Sequence, residues 1–137
     1  NARYETLDKK PTFYPLLHNR CLVPATAYFE WRPVGNKKLK NRIEQLNKDI
    51  MTFAGLYSEE RFIIITCPSA NVISHIHNRM PLIVAPNKRK EWLTSSNNPA
   101  EIIKSLTSRS YQSLTYNEQE LVSKQIDLFG YSEPSRR

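Results

Sequence analysis

No apolar run in this chain is longer than Phe62 to Ile65, and that run is the size of a strand, far short of the ~18 consecutive apolar residues of a membrane-crossing helix. The chain must therefore build its core from many short elements. Two of them follow each other closely. Met51-Thr52-Phe53-Ala54-Gly55-Leu56-Tyr57 and Arg61-Phe62-Ile63-Ile64-Ile65-Thr66 are rich in β-branched and aromatic residues and flank a Ser58-Glu59-Glu60 turn, which predicts a hairpin.

Residues 20–31 have the same character and run into the turn signal Arg32-Pro33-Val34-Gly35-Asn36, which predicts a strand pair around Pro24. The stretch from Lys37 to Lys48 is polar with little apolar periodicity and reads as a surface loop or short helix that carries no chemistry. From Ser69 to His77, Val72, Ile73 and Ile76 recur at helical spacing with Ser69 as the N-cap, so a short amphipathic helix is expected, ended by Pro81. Leu82-Ile83-Val84 reads as a buried strand. Lys88 to Leu93 and Pro99 to Leu106 read as short helices, the second with Pro99 in its first turn. Leu114 to Leu128 holds a last strand or helix, and Ser132 to Arg137 reads as a frayed end. The expectation is an α+β fold dominated by sheet, in one domain over residues 1–137.

Composition narrows the partner. Twenty Lys and Arg against 13 Asp and Glu give a net charge of +7, which favours an anionic partner if the charge gathers on one face. The alternative is a solvated lysine-rich surface, and Lys37-Lys38-Leu39-Lys40 and Lys88-Arg89-Lys90 suit either reading. Two cysteines, Cys21 and Cys67, make neither a disulfide framework nor a metal-knuckle spacing, so a reducing cytoplasm is expected. The first residue is Asn1 rather than Met, and charged, structured-looking text begins at once, which suggests that an upstream segment is missing.

Phosphate-cradling glycine loops, nucleophile elbows and paired Cys-x-x-Cys motifs are absent from the sequence. His75-Ile76-His77 is a single His-x-His pair whose acidic third ligand would have to come from a distant position such as Glu30, so neither metal nor cofactor is expected. Glu30, between Tyr28-Phe29 and Trp31, would have a raised proton affinity if buried and could then shuttle protons near neutral pH. It could equally face outward on the polar side of its strand. His77 could be a core histidine satisfied by a carbonyl, and Arg79 a surface cation.

The order of several blocks carries more than any of them alone: Asn1-Ala2-Arg3-Tyr4-Glu5-Thr6, Arg20-Cys21-Leu22-Val23-Pro24-Ala25, Tyr28-Phe29-Glu30-Trp31, Phe53-Ala54-Gly55-Leu56-Tyr57, Ile64-Ile65-Thr66 and Ile76-His77-Asn78-Arg79-Met80-Pro81. Together they resemble the SRAP family, the SOS-response-associated peptidase-like domains, over about residues 1–93. Residues 94–137 would then add helices and a strand. The resemblance implies a predominantly antiparallel, barrel-like core with short peripheral helices. It also implies a monomeric sensor of abasic sites in single-stranded DNA, in which an N-terminal cysteine condenses with the ring-opened sugar aldehyde to a thiazolidine.

Residue by residue, the resemblance implies that Asn1 orients the sugar and the cysteine amine. Glu30 and His77 fall on the family's catalytic glutamate and histidine, and Arg3, Thr66 and Arg79 fall where phosphates beside the lesion are held. The residue types suit imine formation, which needs a neutral amine, a proton for the departing hydroxyl and a proton for the sugar oxygen. The family's Cys-Gly-Arg start is not in this sequence. Cys21 and Cys67 are internal, lack the free α-amine that ring closure needs, and are expected to be structural. A peptidase using the same chemistry on peptide bonds, and a non-catalytic module binding single-stranded DNA, are the alternatives.

Overall fold

The computed structural model describes residues 1–94, 98–107 and 113–119 of the chain. Its strands form two sheets that do not close into a barrel. The hairpin expected over residues 51–66 is present as β5 (Met51–Ser58) and β6 (Arg61–Pro68), joined at Glu59-Glu60, with Glu59 at φ 50°. Every residue from Met51 to Leu56 is buried, so no in-out alternation survives in β5: the strand lies between β6 and β2 (Arg20–Ala25) in the middle of the first sheet. Gly55 faces Cys21 across that pairing. A Cβ at Gly55 would lie 2.8 Å from Cys21 Sγ and 3.3 Å from the Ile63 carbonyl oxygen, so only glycine fits between the two neighbouring strands.

Residues 20–31 do hold two strands, β2 and β3 (Tyr28–Val34), but these are not paired with each other. β2 runs antiparallel to β5, and β3 starts a second sheet with β4 (Lys37–Gln45) and β8 (Leu114–Gln119) in the order β3-β4-β8. Pro24 donates no hydrogen bond, which is tolerated because β2 is at the edge of its sheet. β4 occupies the stretch read as loop or short helix. Its polar sequence hides a half-buried strand in which Asn41 and Ile43 are buried and most of their neighbours are not. The β3–β4 turn is made by Gly35-Asn36, with Gly35 at φ 56°, a left-handed conformation open to glycine at little cost.

The helix expected over residues 69–77 is a single 3-10 turn, Asn71–Ile73, continued by a non-helical turn to Ile76. Ala70, not Ser69, stands at its N-cap and no side chain caps it. The short segment still buries Ile73 and Ile76, while Val72 faces outward. β7 (Arg79–Pro81) follows and pairs with β6, after which Ile83 bridges to Phe53 in place of the separate strand expected at residues 82–84. α1 (Arg89–Thr94) and α2 (Pro99–Thr107) lie within a residue of expectation, with Pro99 opening α2. Trp92 of α1 is fully buried, and its indole N–H donates to the Cys21 carbonyl at 2.9 Å, fixing the helix on β2. The remainder of the Leu114–Leu128 segment and Ser132–Arg137 lie outside the described residues.

One strand, β6, organises its neighbours. It pairs with β5 from Arg61 to Ile64, then parts from it, and from Thr66 to Pro68 pairs with β7 instead. Leu82 fills the gap, donating its N–H to the Ile65 carbonyl at 2.9 Å and accepting from the Ala54 N–H at 2.9 Å. On the other edge of β6 lies β1 (Ala2–Arg3), parallel to it, with Arg3 opposite Thr66. The divergence brings β1, β6, β7 and the first residues of β3 together around a depression.

Candidate nucleic-acid interface

That depression is a cleft of about 350 Å³, and all six residues expected to carry the site line it: Asn1, Arg3, Glu30, Thr66, His77 and Arg79. They come from the start of the chain, Asn1 and β1, and from β3, β6, the segment before β7 and β7 itself. A larger hollow of about 690 Å³ beside Asp49, Thr52 and Arg89 contains none of them, so size does not select the site and chemistry does. Phe53, Ile64 and Met80 contribute apolar surface to the smaller cleft.

Arg79 is the most constrained member. Its Nη1 donates to Glu5 Oε1 at 2.5 Å and its Nη2 to Glu5 Oε2 at 2.9 Å, a bidentate pair, while Nη2 also donates to the Thr66 carbonyl at 2.7 Å. The hydrogen bond from Arg79 holds the Glu5 carboxyl below the usual carboxylate range. Nothing local in the sequence marks Glu5 for this role, although it stands within the Asn-Ala-Arg-Tyr-Glu-Thr block. The Arg79 Nε is buried without an acceptor among the described residues. Arg3 is exposed, so the cleft combines one braced guanidinium with one that faces solvent.

His77 is exposed at the cleft and is held through one nitrogen. Its Nδ1 lies 3.1 Å from the Arg79 backbone nitrogen and 3.0 Å from the Arg79 carbonyl oxygen. A neutral Nδ1 accepts from the first and a protonated Nδ1 donates to the second, so the ring keeps a backbone partner in either state. Nε2 has no protein partner among the described residues and remains available for proton transfer. The neighbouring His75 points elsewhere, its ring 5.0 Å from that of Tyr116 at 64°. The His-x-His pair is thus split between two surroundings. Among the described residues no group of three His, Cys, Asp or Glu side chains is arranged to hold a metal ion.

Glu30 is half-buried on the inward side of β3 and is neither a fully sequestered acid nor an outward-facing surface residue. Its register partner on β4 is Asn41, and beyond Asn41 on β8 is Glu118. Asn41 is fully buried and donates through Nδ2 to Glu118 Oε2 at 3.0 Å. Arg32 grips the same carboxylate through Nε at 2.8 Å and Nη2 at 2.7 Å, holding Glu118 down at about 2. β4, expected to be remote from chemistry, therefore supplies the layer against which Glu30 is placed.

Tyr28, two residues before Glu30 on the same strand, also lines the cleft. Its ring meets Phe53 edge-on, centroids 5.8 Å apart at 86°. Its hydroxyl is buried with no hydrogen-bond partner among the described residues, and burial, with the Glu30 charge adding to it, pushes the phenol above its usual range. The two-residue period that puts Tyr28 beside Glu30 is readable in the sequence, but nothing local marks its hydroxyl as unpaired.

The two cysteines do not enter the cleft. Burial pushes the Cys67 thiol up to about 11 and raises Cys21 as well, so both are poor nucleophiles at neutral pH. On the outer face of β3, Lys40 caps the exposed rings of Phe29 and Trp31, its Nζ 4.2 and 5.9 Å from their centroids. No helix among the described residues is long and apolar enough to cross a membrane.

Residues 1–127 match the family described as SOS response associated peptidase (SRAP). The chain is similar to Abasic site processing protein YobE of Bacillus subtilis, with 36% identity over 117 residues, covering 77% of this chain and 53% of that protein. It is also similar to Abasic site processing protein YedK of Escherichia coli, 31% identical over 102 residues, covering 68% of this chain and 46% of that protein. The crystal structure of a Bacteroides thetaiotaomicron protein superposes with a TM-score of 0.78 at 32% identity, over 88% of this chain and 58% of that one. A Bordetella bronchiseptica protein shares the fold, with a TM-score of 0.75 at 22% identity over 88% of this chain and 65% of the other. The chain thus spans about half the length of the curated relatives it matches.

Proposed function

The chain belongs to the SOS response associated peptidase (SRAP) family, and from that premise we propose that it forms the DNA-gripping and proton-handling part of an abasic-site processing protein acting on single-stranded DNA. The observation that carries this reading is the convergence of Asn1, Arg3, Glu30, Thr66, His77 and Arg79 on one cleft. The relatives named as abasic site processing proteins support the substrate.

In the proposed chemistry the nucleophile is the α-amine of a cysteine that precedes the Asn-Ala-Arg block in the complete protein. With a reference pKa of ~8 it is partly neutral at pH 7, which a lysine amine is not. His77 relays a proton as the sugar opens: the C1 hydroxyl loses its proton as its oxygen becomes the aldehyde, the bond from C1 to the ring oxygen breaks, and the ring oxygen takes up a proton to become a hydroxyl. The amine then adds to the aldehyde carbon, Glu30 supplies the proton with which water departs, and an imine remains. The thiol adds across that imine, its sulfur bonding to carbon and its proton passing to nitrogen, which closes a thiazolidine. Asn1 orients amine and sugar. Arg3, Thr66 and Arg79 hold the flanking phosphates, so the lesion rather than the base sequence is read.

The test is to incubate the complete protein, presenting its cysteine amino terminus, with a single-stranded oligonucleotide bearing one abasic site. An adduct that survives denaturing electrophoresis is expected, and none on the undamaged strand. Equal binding of damaged and undamaged strands, with no adduct, would mark a non-catalytic binding module instead.

A further inference from the structure

Two donors that line the cleft, Tyr28 Oη–H and Arg79 Nε–H, are buried with no acceptor among the described residues. A buried hydroxyl left unpaired destabilises the fold by its lost hydration, and a phenylalanine would fill the same space against Phe53 without that penalty. The hydroxyl is therefore placed for an acceptor that arrives with a ligand.

We infer that Tyr28 is a further substrate-contacting residue of this cleft, its hydroxyl donating a hydrogen bond to an oxygen of the opened deoxyribose; this rests on the abasic-site reading above. The surroundings choose a sugar oxygen over a phosphate. Phe53 packs edge-on against the Tyr28 ring, and Ile64 and Met80 also line the cleft, apolar surroundings in which a neutral sugar oxygen is less costly to seat than a charged phosphate. Exposed Arg3 serves a phosphate better. Burial also keeps the phenol protonated, so it remains a neutral donor, suited to a hydroxyl or aldehyde oxygen. An intact nucleotide has its deoxyribose closed by the base and cannot present those oxygens, so the contact would favour the lesion.

The test compares the complete protein with its Tyr28→Phe variant on three single-stranded oligonucleotides: undamaged, carrying a tetrahydrofuran abasic analogue, and carrying a borohydride-reduced abasic site, which is open-chain and cannot crosslink. Affinity is read by fluorescence anisotropy and stability by thermal unfolding. Tyr28→Phe is expected to lose about fivefold in affinity for the reduced site, as fits one neutral hydrogen bond, with the undamaged strand bound as before. Its Tm in the absence of DNA should be unchanged or higher, because an unpaired polar group has been removed. A variant that binds the reduced site as tightly as the wild type while the wild type still prefers damaged DNA overturns the role of Tyr28 alone. A Tm lowered by several degrees also overturns it, by revealing an internal acceptor. A wild type that does not distinguish the three strands overturns the abasic-site reading and this inference together.

Discussion

Arg79 and Glu5, 74 positions apart in sequence, form a two-pronged ion pair with contacts of 2.5 and 2.9 Å at the edge of the cleft. The pair ties β7 to the short turn after β1, and the Thr66 carbonyl completes the grip on the guanidinium. The sheet edges that form the cleft are thereby locked to each other by charge as well as by backbone.

Acid should loosen this lock. Glu5 has a folded-state pKa below its ordinary value of 4.5, so it contributes stability above that value and loses the contribution as pH falls through the folded one. Glu118, held at about 2 by Arg32, has the same sign, its contribution disappearing between 4.5 and about 2. Denaturant unfolding at pH 7 should show Glu5→Gln destabilised by at most ~1 kcal/mol, the pair being partly exposed and screened. Once the pH has fallen below the folded-state pKa of Glu5, the variant and wild type should converge. A gap that widens in acid would reverse the assigned sign.

Arg3 is exposed and faces its partner through solvent, so its removal should weaken DNA binding without altering the fold. Arg3→Ala is expected to lower affinity for single strands of any sequence and to reduce the slope of log affinity against log salt by about 1. Titrations at several salt concentrations measure it. An unchanged slope would place Arg3 away from phosphate.

Cys67 is fully buried with its thiol pushed up to about 11, and it is not part of the cleft lining. It should react with a disulfide reagent at pH 7.5 at least ~100-fold more slowly than a free thiol, rising only as the protein unfolds. Cys67→Ala should leave adduct formation by the complete protein unaffected. Loss of the adduct would show an internal thiol at work.

At Gly55 the structure leaves no room for a methyl group. Gly55→Ala should destabilise by about 1–3 kcal/mol, since the added Cβ meets Cys21 Sγ at 2.8 Å. Pairing it with Cys21→Ala should recover part of the loss, giving a favourable coupling in a double-mutant cycle. Strict additivity would mean that the Ile63 carbonyl, at 3.3 Å, is the real obstacle.

Where the local pattern and the tertiary context agree, the fold is legible. The hairpin of β5 and β6 announces itself through β-branched and aromatic residues, and Pro99 opens its helix as its fixed φ allows. β4 is not legible because its inward residues include Asn41, whose burial is supported by Glu118, 77 positions later. No window of sequence contains that support. The stretch from Ser69 to His77 has helical spacing, but its buried isoleucines, Ile73 and Ile76, reach the core from one 3-10 turn and the turn that follows it. β2 and β3 are visible as strands, yet their partners are chosen by sheets assembled from distant parts of the chain. For the site, the family resemblance carried by the order of blocks points to six of the residues that line the cleft. Glu5 and Tyr28 emerge only from contacts, because an ion pair and an unpaired hydroxyl are relations between residues and not properties of one.

Glu30 is the residue on which the proposed chemistry turns, and its rate effect is the most direct measure of it. Single-turnover adduct formation by the complete protein, on a single-stranded oligonucleotide with one abasic site, should slow by about 10²–10⁴-fold in Glu30→Gln, with DNA affinity and Tm near those of the wild type. Adduct formation by Glu30→Gln at the wild-type rate would contradict the account.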